Sequence, residues 1–205
     1  MPIKEACVET VEQAIKAEKN GADQIELCSR LDLDGLTPDF DVIRKVLSLI
    51  NIHVKVMIRC RSGNFYFNES EISKMAFEIQ KCKTLGVNEV TLGCVTKQNK
   101  VDFSTTQFLA SKAYPMEVTF HKAIDTTNDI IEGLNTLSKI SQIKSILTSG
   151  GSESAEQGVS IIKTIIEKFQ NRFNVFACGK ITKNNFKGLH NKIGAKFYHG
   201  RMIVG

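Results

Sequence analysis

Short apolar runs rich in β-branched side chains recur along the chain and alternate with longer segments of helical period. The strand-like runs fall near Ile3 to Cys7, Gln24 to Cys28, His53 to Arg59, Glu89 to Cys94, Met116 to His121, Ser145 to Ser149, Asn174 to Cys178 and Ala195 to His199. Helix starts carry recognisable signals between them. Thr10 with Gln13 and Ser154 with Gln157 read as capping boxes, Thr37 precedes Pro38 at a first helical position, and Asn68 precedes Glu71. Gly21, Gly86 and Gly194 sit where helices should stop. No linker or low-complexity stretch divides the chain, so residues 1–205 read as one domain, a TIM-type (β/α)8 barrel. Only "GRMIVG" follows the eighth strand, which predicts a short or missing eighth helix and an uncovered outer face on strands one and eight. An apolar face of that kind favours a homodimer or higher homo-oligomer. The competing architecture, an open doubly wound sheet, is weakened by the absence of a GxGxxG turn after the first strand, and no organic cofactor is expected.

The segment "DQIELCSR", residues 23–30, places Glu26 and Cys28 inside an otherwise apolar strand. Alternation along a barrel strand sends every second side chain into the interior, and the C-terminal strand ends face the mouth where barrel chemistry sits. Glu26 and Cys28 therefore point inward together. The same parity turns Glu5 and Cys7, then Arg59, then Glu117, Thr119 and His121, and finally His199 inward, whereas Val54, Val56 and Ile58 face the helices.

Composition narrows the setting. A chain with 42% hydrophobic and 24% charged residues has the mixture of a globular domain, and no apolar run approaches the length of about 18 residues that reads as a membrane span. The start "MPIKEACVETVEQ" lacks a basic region followed by an apolar one, so a cytoplasmic setting without membrane association is expected. The six cysteines form no CxxC pair, which argues for free thiols. From Gly158 to Gly205 nine Lys or Arg face one acid, Glu167, an asymmetry that favours an anionic ligand or simply solvated helix faces. With no Trp and no aromatic interleaving, nucleic-acid binding is not expected.

The stretches "EACVET", "GADQIELCSRLDLDGLTP", "VMIR", "MEVTFHKAID" and "LTSGG" together resemble the CutC family over nearly the whole chain. The resemblance implies a TIM-type barrel in the cytoplasm with a role in copper handling. The chain departs from the family pattern near the mouth, where Cys60, Ser62 and Asn64 replace the usual Pro, Gly and Asp. A glycine triplet after strand seven is reduced to Gly179 between Cys178 and Lys180, and "YHGRM" replaces the usual ending while keeping His199 and Gly200.

Two chemistries are open at the mouth. Cys7 and Cys28 end adjacent parallel strands, which lie about 4.8 Å apart, and two thiolates at that spacing suit Cu(I). The alternative is that both thiols simply pack in the core. The second chemistry is an enzyme acting on a small anionic substrate. Arg59 would hold a carboxylate or phosphate, His121 would move protons, and Glu5, Glu26 or Asp125 would act as acid or base. Each also has a structural reading: Arg59 neutralises the two Glu residues, His121 is a core histidine and Asp125 caps a helix. Thr148, Ser149, Gly150 and Gly151 lead into a helix start and form either an anion-binding turn or an ordinary N-cap, with Lys180 and His199 as further substrate contacts. A Schiff-base lysine is not expected, because Lys55 sits early in strand three and Lys122 has outward parity.

Overall fold

The computed structural model describes residues 1–205. Eight parallel strands, β1 (Ile3–Val8), β2 (Gln24–Leu27), β3 (His53–Met57), β4 (Glu89–Leu92), β5 (Glu117–Phe120), β6 (Ile143–Thr148), β7 (Asn174–Ala177) and β8 (Phe197–Gly200), close in chain order into a barrel. Seven α-helices wrap it: α1 (Val11–Lys19), α2 (Phe40–Leu49), α3 (Glu69–Thr84), α4 (Phe103–Ala113), α5 (Ile130–Leu137), α6 (Val159–Phe169) and α7 (Phe186–Ile193). Every expected strand is present, with ends displaced by one or two residues. Cys28, His121 and Cys178 lie just past the ladder, yet their N–H groups still bond to Val8, Leu92 and Thr148 of the neighbouring strand. The strand alternation therefore persists to the mouth.

Val54, Val56 and Ile58 do pack outward, in a cluster of 50 buried residues that fills the layer between sheet and helices. The caps agree less evenly with the sequence reading. Asn68 and Glu71 form the expected capping box on α3. Thr10 accepts the Gln13 N–H, but the Gln13 side chain turns to the Glu9 N–H instead of closing the box. Thr37 is not a cap: α2 starts behind Asp39, and the Thr37 hydroxyl accepts the Arg59 N–H and donates to Glu78. Ser154 caps only a turn, because α6 starts later, at Val159. Gly158 sets that start, since a Cβ there would lie 1.9 Å from the Ser149 carbonyl oxygen. Gly21, Gly86 and Gly194 follow α1, α3 and α7 with positive φ, as their positions require.

The chain ends after β8 without an eighth helix, but the outer face of β1 and β8 is not bare. Ala6, Val8 and Tyr198 are buried within the single chain, as are Ile203 and Val204 of the last residues. The Tyr198 hydroxyl accepts the Ala195 N–H and meets His190 of α7 at 2.9 Å. The uncovered patch that motivated self-association is thus absent. No helix is long and apolar enough to cross a membrane.

Inside the barrel, charged side chains stand where most barrels of this type stack aliphatic ones. Lys55 is 1% exposed, and its ammonium lies 3.1 Å from a Glu5 oxygen, 3.3 Å from a Glu89 oxygen and 3.1 Å from the Thr119 hydroxyl. The other Glu89 oxygen meets His53 at 2.9 Å. Glu117, expected inward, is instead exposed at the entrance to β5. Burial works against every one of these charges, but pairing outweighs it: Glu5 and Glu89 are held below the usual carboxylate range and Lys55 above the usual amine value. An ammonium locked between two carboxylates is a poor nucleophile, in keeping with the expectation that no Schiff base forms here.

Breaking this network should be costly. Lys55→Met leaves Glu5 and Glu89 buried without their counter-charge and should destabilise the fold by about 3–5 kcal/mol in chemical denaturation; a loss under about 1 kcal/mol would mean that the carboxylates are not charged. The acid limb has a defined sign. Because the Glu5 carboxyl titrates below its ordinary value, its contribution is present above about pH 4.5 and fades as pH falls toward about 2.

Candidate functional site

β1 and β2 bring two thiols and two carboxylates to one wall of the barrel. Their register sets Cys7 level with Glu26 and Glu5 level with Gln24, so Cys28 stands above Cys7 instead of beside it. The sulfurs nevertheless meet diagonally, 3.7 Å apart, and both cysteines are free thiols. One Glu26 oxygen lies 3.7 Å from Cys7 Sγ and 3.5 Å from Cys28 Sγ. On the other side, β8 pairs Glu5 with His199, and His199 Nδ1 faces a Glu5 oxygen at 2.8 Å. His199 Nε2 lies 3.9 Å from the same Glu26 oxygen. A sulfur of Cys7, an oxygen of Glu26 and a ring nitrogen of His199 fall within 4.8 Å of one another, a spacing that could hold a metal ion. Leu31 and Met57 complete a small apolar cluster around the two thiols.

The charges form a ladder. The hydrogen bond from the Cys28 thiol is the largest influence on Cys7; it outweighs burial and, with His199, pulls the Cys7 thiol down to about 5. Cys28, as the donor, is pushed up. Burial opposes a charge on His199, but Glu26, Cys7 and Glu5 together hold the imidazolium well above its ordinary value. Burial pushes Glu26 up to about 7, aided by the negative Cys7 and Glu5 and opposed by His199. Cys7 is thus a thiolate beside an imidazolium whose other nitrogen is fixed by Glu5.

This wall opens on a cavity of about 750 Å³ at the C-terminal ends of the strands, and Cys7, Glu26, Cys28, Arg59, His121 and His199 all line it. Arg59 does not sit beside Glu5 and Glu26, as expected from parity. Its terminal nitrogens donate to the carbonyls of Leu33, Asp34, Gly35 and Gly63, and Lys55 takes the role of neutralising Glu5. His121 accepts the Ala123 N–H at Nδ1 and packs against Gly93, where a Cβ would lie 2.5 Å from that nitrogen. Burial and the nearby Arg59 push it down to about 3, so it stays neutral.

The glycine turn is already filled. Asp125, from the 3-10 turn Lys122–Thr126, accepts hydrogen bonds from the hydroxyls of Thr148 and Ser149 and from the N–H groups of Ser149 and Gly151. Thr148, Ser149 and Gly151 therefore hold the chain's own carboxylate where an external anion was expected, and Gly150 donates to Thr148. Asp125 is a structural anchor between β5 and β6 and does not cap α5, which starts behind Asp129. Lys180 sits at the rim with a 3.4 Å contact to Glu153. Lys122, of outward parity, also reaches the cavity, because the 3-10 turn replaces the strand alternation there. Sequence reasoning missed the partnership of Lys55 with Glu89 and the place of Cys178 in the cavity wall. Inward parity signalled both Lys55 and Glu89, while nothing in the sequence signalled that the two stand level.

A closed parallel barrel of eight strands is a TIM-type barrel, and at its mouth Cys7, Glu26 and His199 are spaced so that they could hold a metal ion. The sequence profile of the CutC family matches residues 2–204, and the chain belongs to that family. It is 36% identical over 197 residues to a human protein named copper homeostasis protein cutC homolog, covering 96% of this chain and 72% of that one. A CutC family protein of Histophilus somni is 37% identical over 181 residues, covering 88% of this chain and 74% of its own length. The crystal structure of a CutC protein from Streptococcus agalactiae superposes with a TM-score of 0.93 at 28% identity, over 99% of this chain and 100% of that one. Dihydrodipicolinate synthase DapA-2 of Bacillus anthracis, at 17% identity and a TM-score of 0.64 over 97% of this chain and 69% of that one, shares the fold alone.

The thiolate can be observed directly. Absorbance near 240 nm should reveal one thiol titrating near pH 5, absent in Cys7→Ser and shifted upward by more than one pH unit in His199→Gln; an unshifted curve in His199→Gln would remove the ion pair from the account. Asp125→Ala should cost about 1–3 kcal/mol in denaturation by orphaning buried donors, whereas a cost near zero would mean that water replaces the carboxylate freely.

Proposed function

We propose that the chain binds Cu(I) through the thiolates of Cys7 and Cys28, in keeping with the copper homeostasis named for its human relative. The single observation that carries this reading is the 3.7 Å separation of the two sulfurs. At a metal–sulfur distance of about 2.3 Å, the value for zinc thiolates, both can reach one ion in a bent arrangement. Such an arrangement leaves room for a third ligand: a Glu26 oxygen lies 3.7 Å and 3.5 Å from the two sulfurs, and His199 Nε2, once it gives up its proton, belongs to the same group. Thiolate ligands select Cu(I) over the hard cations that Glu5 and Glu26 alone would prefer, and Glu5 is already committed to Lys55 and His199. Copper is the cargo in this reading. A reducing, cytoplasmic setting suits it, since six free thiols are retained.

A second reading, an enzyme acting on a small anionic substrate, is favoured by one observation: a cavity of about 750 Å³ is far larger than an ion needs. Lys180, His199 and the Arg59 side of the mouth would then face that substrate.

An anaerobic Cu(I) competition titration separates the two. Affinity should fall at least a hundredfold in Cys7→Ser and Cys28→Ser and stay unchanged in Cys82→Ala, whose thiol lies in the helix-side core. Equal affinity in all four proteins would reduce the thiols to core packing and leave the enzyme reading.

A further inference from the structure

The barrel interior holds two buried cations of opposite situation. Lys55 is flanked by two carboxylates, whereas Arg59, 3% exposed, has no carboxylate within ion-pair distance. Its Nη groups are spent on four carbonyls, which carry only partial charge, and its Nε–H has no partner at all. A buried cation left in this state is expensive unless something anionic arrives.

His121 supplies a second orphan. It is 3% exposed, its Nδ1 is occupied by the Ala123 N–H, and so the neutral ring carries its proton on Nε2, which is buried and unpartnered. The ring is pinned by the close approach of Gly93 and Ala123. Phe65 touches both groups, with the Arg59 guanidinium 4.7 Å and the His121 ring 4.8 Å from its own ring centre, and all three line the same cavity. Two orphaned N–H donors, one of them on a full positive charge, thus flank one aromatic ring in the wall of the cavity.

We propose that Arg59 and His121 form a subsite for the carboxylate of a small organic acid, beside Phe65 and separate from the Cys7–Cys28 pair. Two donors match the two oxygens of a carboxylate. A phosphate demands more donors, and the glycine turn that would supply them is filled by Asp125. Lys122 and Arg201 on the rim add positive potential along the approach, set against Asp34 and Glu153. The subsite does not rest on copper binding.

The test is a titration of the metal-free full chain with acetate, malonate, benzoate and inorganic phosphate, followed by ligand-observed NMR and calorimetry. At least one carboxylate should bind, and more tightly than phosphate. Its affinity should fall at least tenfold in Arg59→Gln and several-fold in His121→Phe, which keeps a ring against Phe65, and should be unchanged in Cys82→Ala, whose thiol lies outside the cavity. Should Arg59→Gln fail to fold, His121→Phe decides alone. Absence of binding by every carboxylate, phosphate binding as tight as theirs, affinity unchanged in the folded donor variants, or loss of binding in Cys82→Ala would each overturn the proposal. Loss of Cu(I) binding with carboxylate binding intact, or the reverse, tells the failure of one reading from that of the other.

Discussion

The ammonium of Lys55 is the constraint on which the barrel interior turns. Buried at the centre, it needs carboxylates, and β1 and β4 provide Glu5 and Glu89. Once one Glu5 oxygen is committed to Lys55, the other is left facing β8, where it fixes His199 Nδ1. The far side of the imidazolium then faces Cys7 and Glu26. Charge thus alternates from the middle of the barrel to its mouth, Lys55, Glu5, His199, Cys7, each group justified by its neighbour in a medium too dry to tolerate it alone. The Cys7 thiolate at the top rests on the hydrogen bond from Cys28 and, after it, on the His199 end of this ladder.

Much of this was legible in the sequence, and the missing part has a physical reason. Alternation along a strand fixes which face a side chain occupies, so Cys7, Glu26, Cys28 and His199 could be placed in the interior from parity. Parity says nothing about height. A closed barrel staggers its strands, and that stagger sets Cys7 level with Glu26 and Glu26 level with Lys55, which is why Lys55, and not Arg59, neutralises Glu5. The loops were opaque for a different reason. "LTSGG" has the donors of an anion site, but whether the anion comes from solvent or from Asp125, more than twenty residues away in sequence, is a tertiary fact. The late start of α6 has the same character, because it depends on the contact of Gly158 with Ser149.

The mouth is divided by these commitments. On the β1–β2–β8 wall two sulfurs stand beside Glu26 and His199, and one Glu26 oxygen is left without a partner. At the ends of β3 and β5, Arg59 and His121 keep donors that no group of the chain accepts. Asp125 removes the glycine turn from ligand binding and in exchange ties β5 to β6 beneath the rim.

The proposal that matters most is that the Cys7 thiolate and the Cys28 sulfur, which gives up its proton on binding, together take up one Cu(I) ion. X-ray absorption at the copper edge of the Cu(I)-loaded protein reads the ligands without perturbing them. The account predicts one copper with two sulfur scatterers in its inner shell, and with a single sulfur remaining in Cys28→Ser. An inner shell of nitrogen and oxygen alone, or a sulfur shell that persists unchanged in that variant, would contradict it.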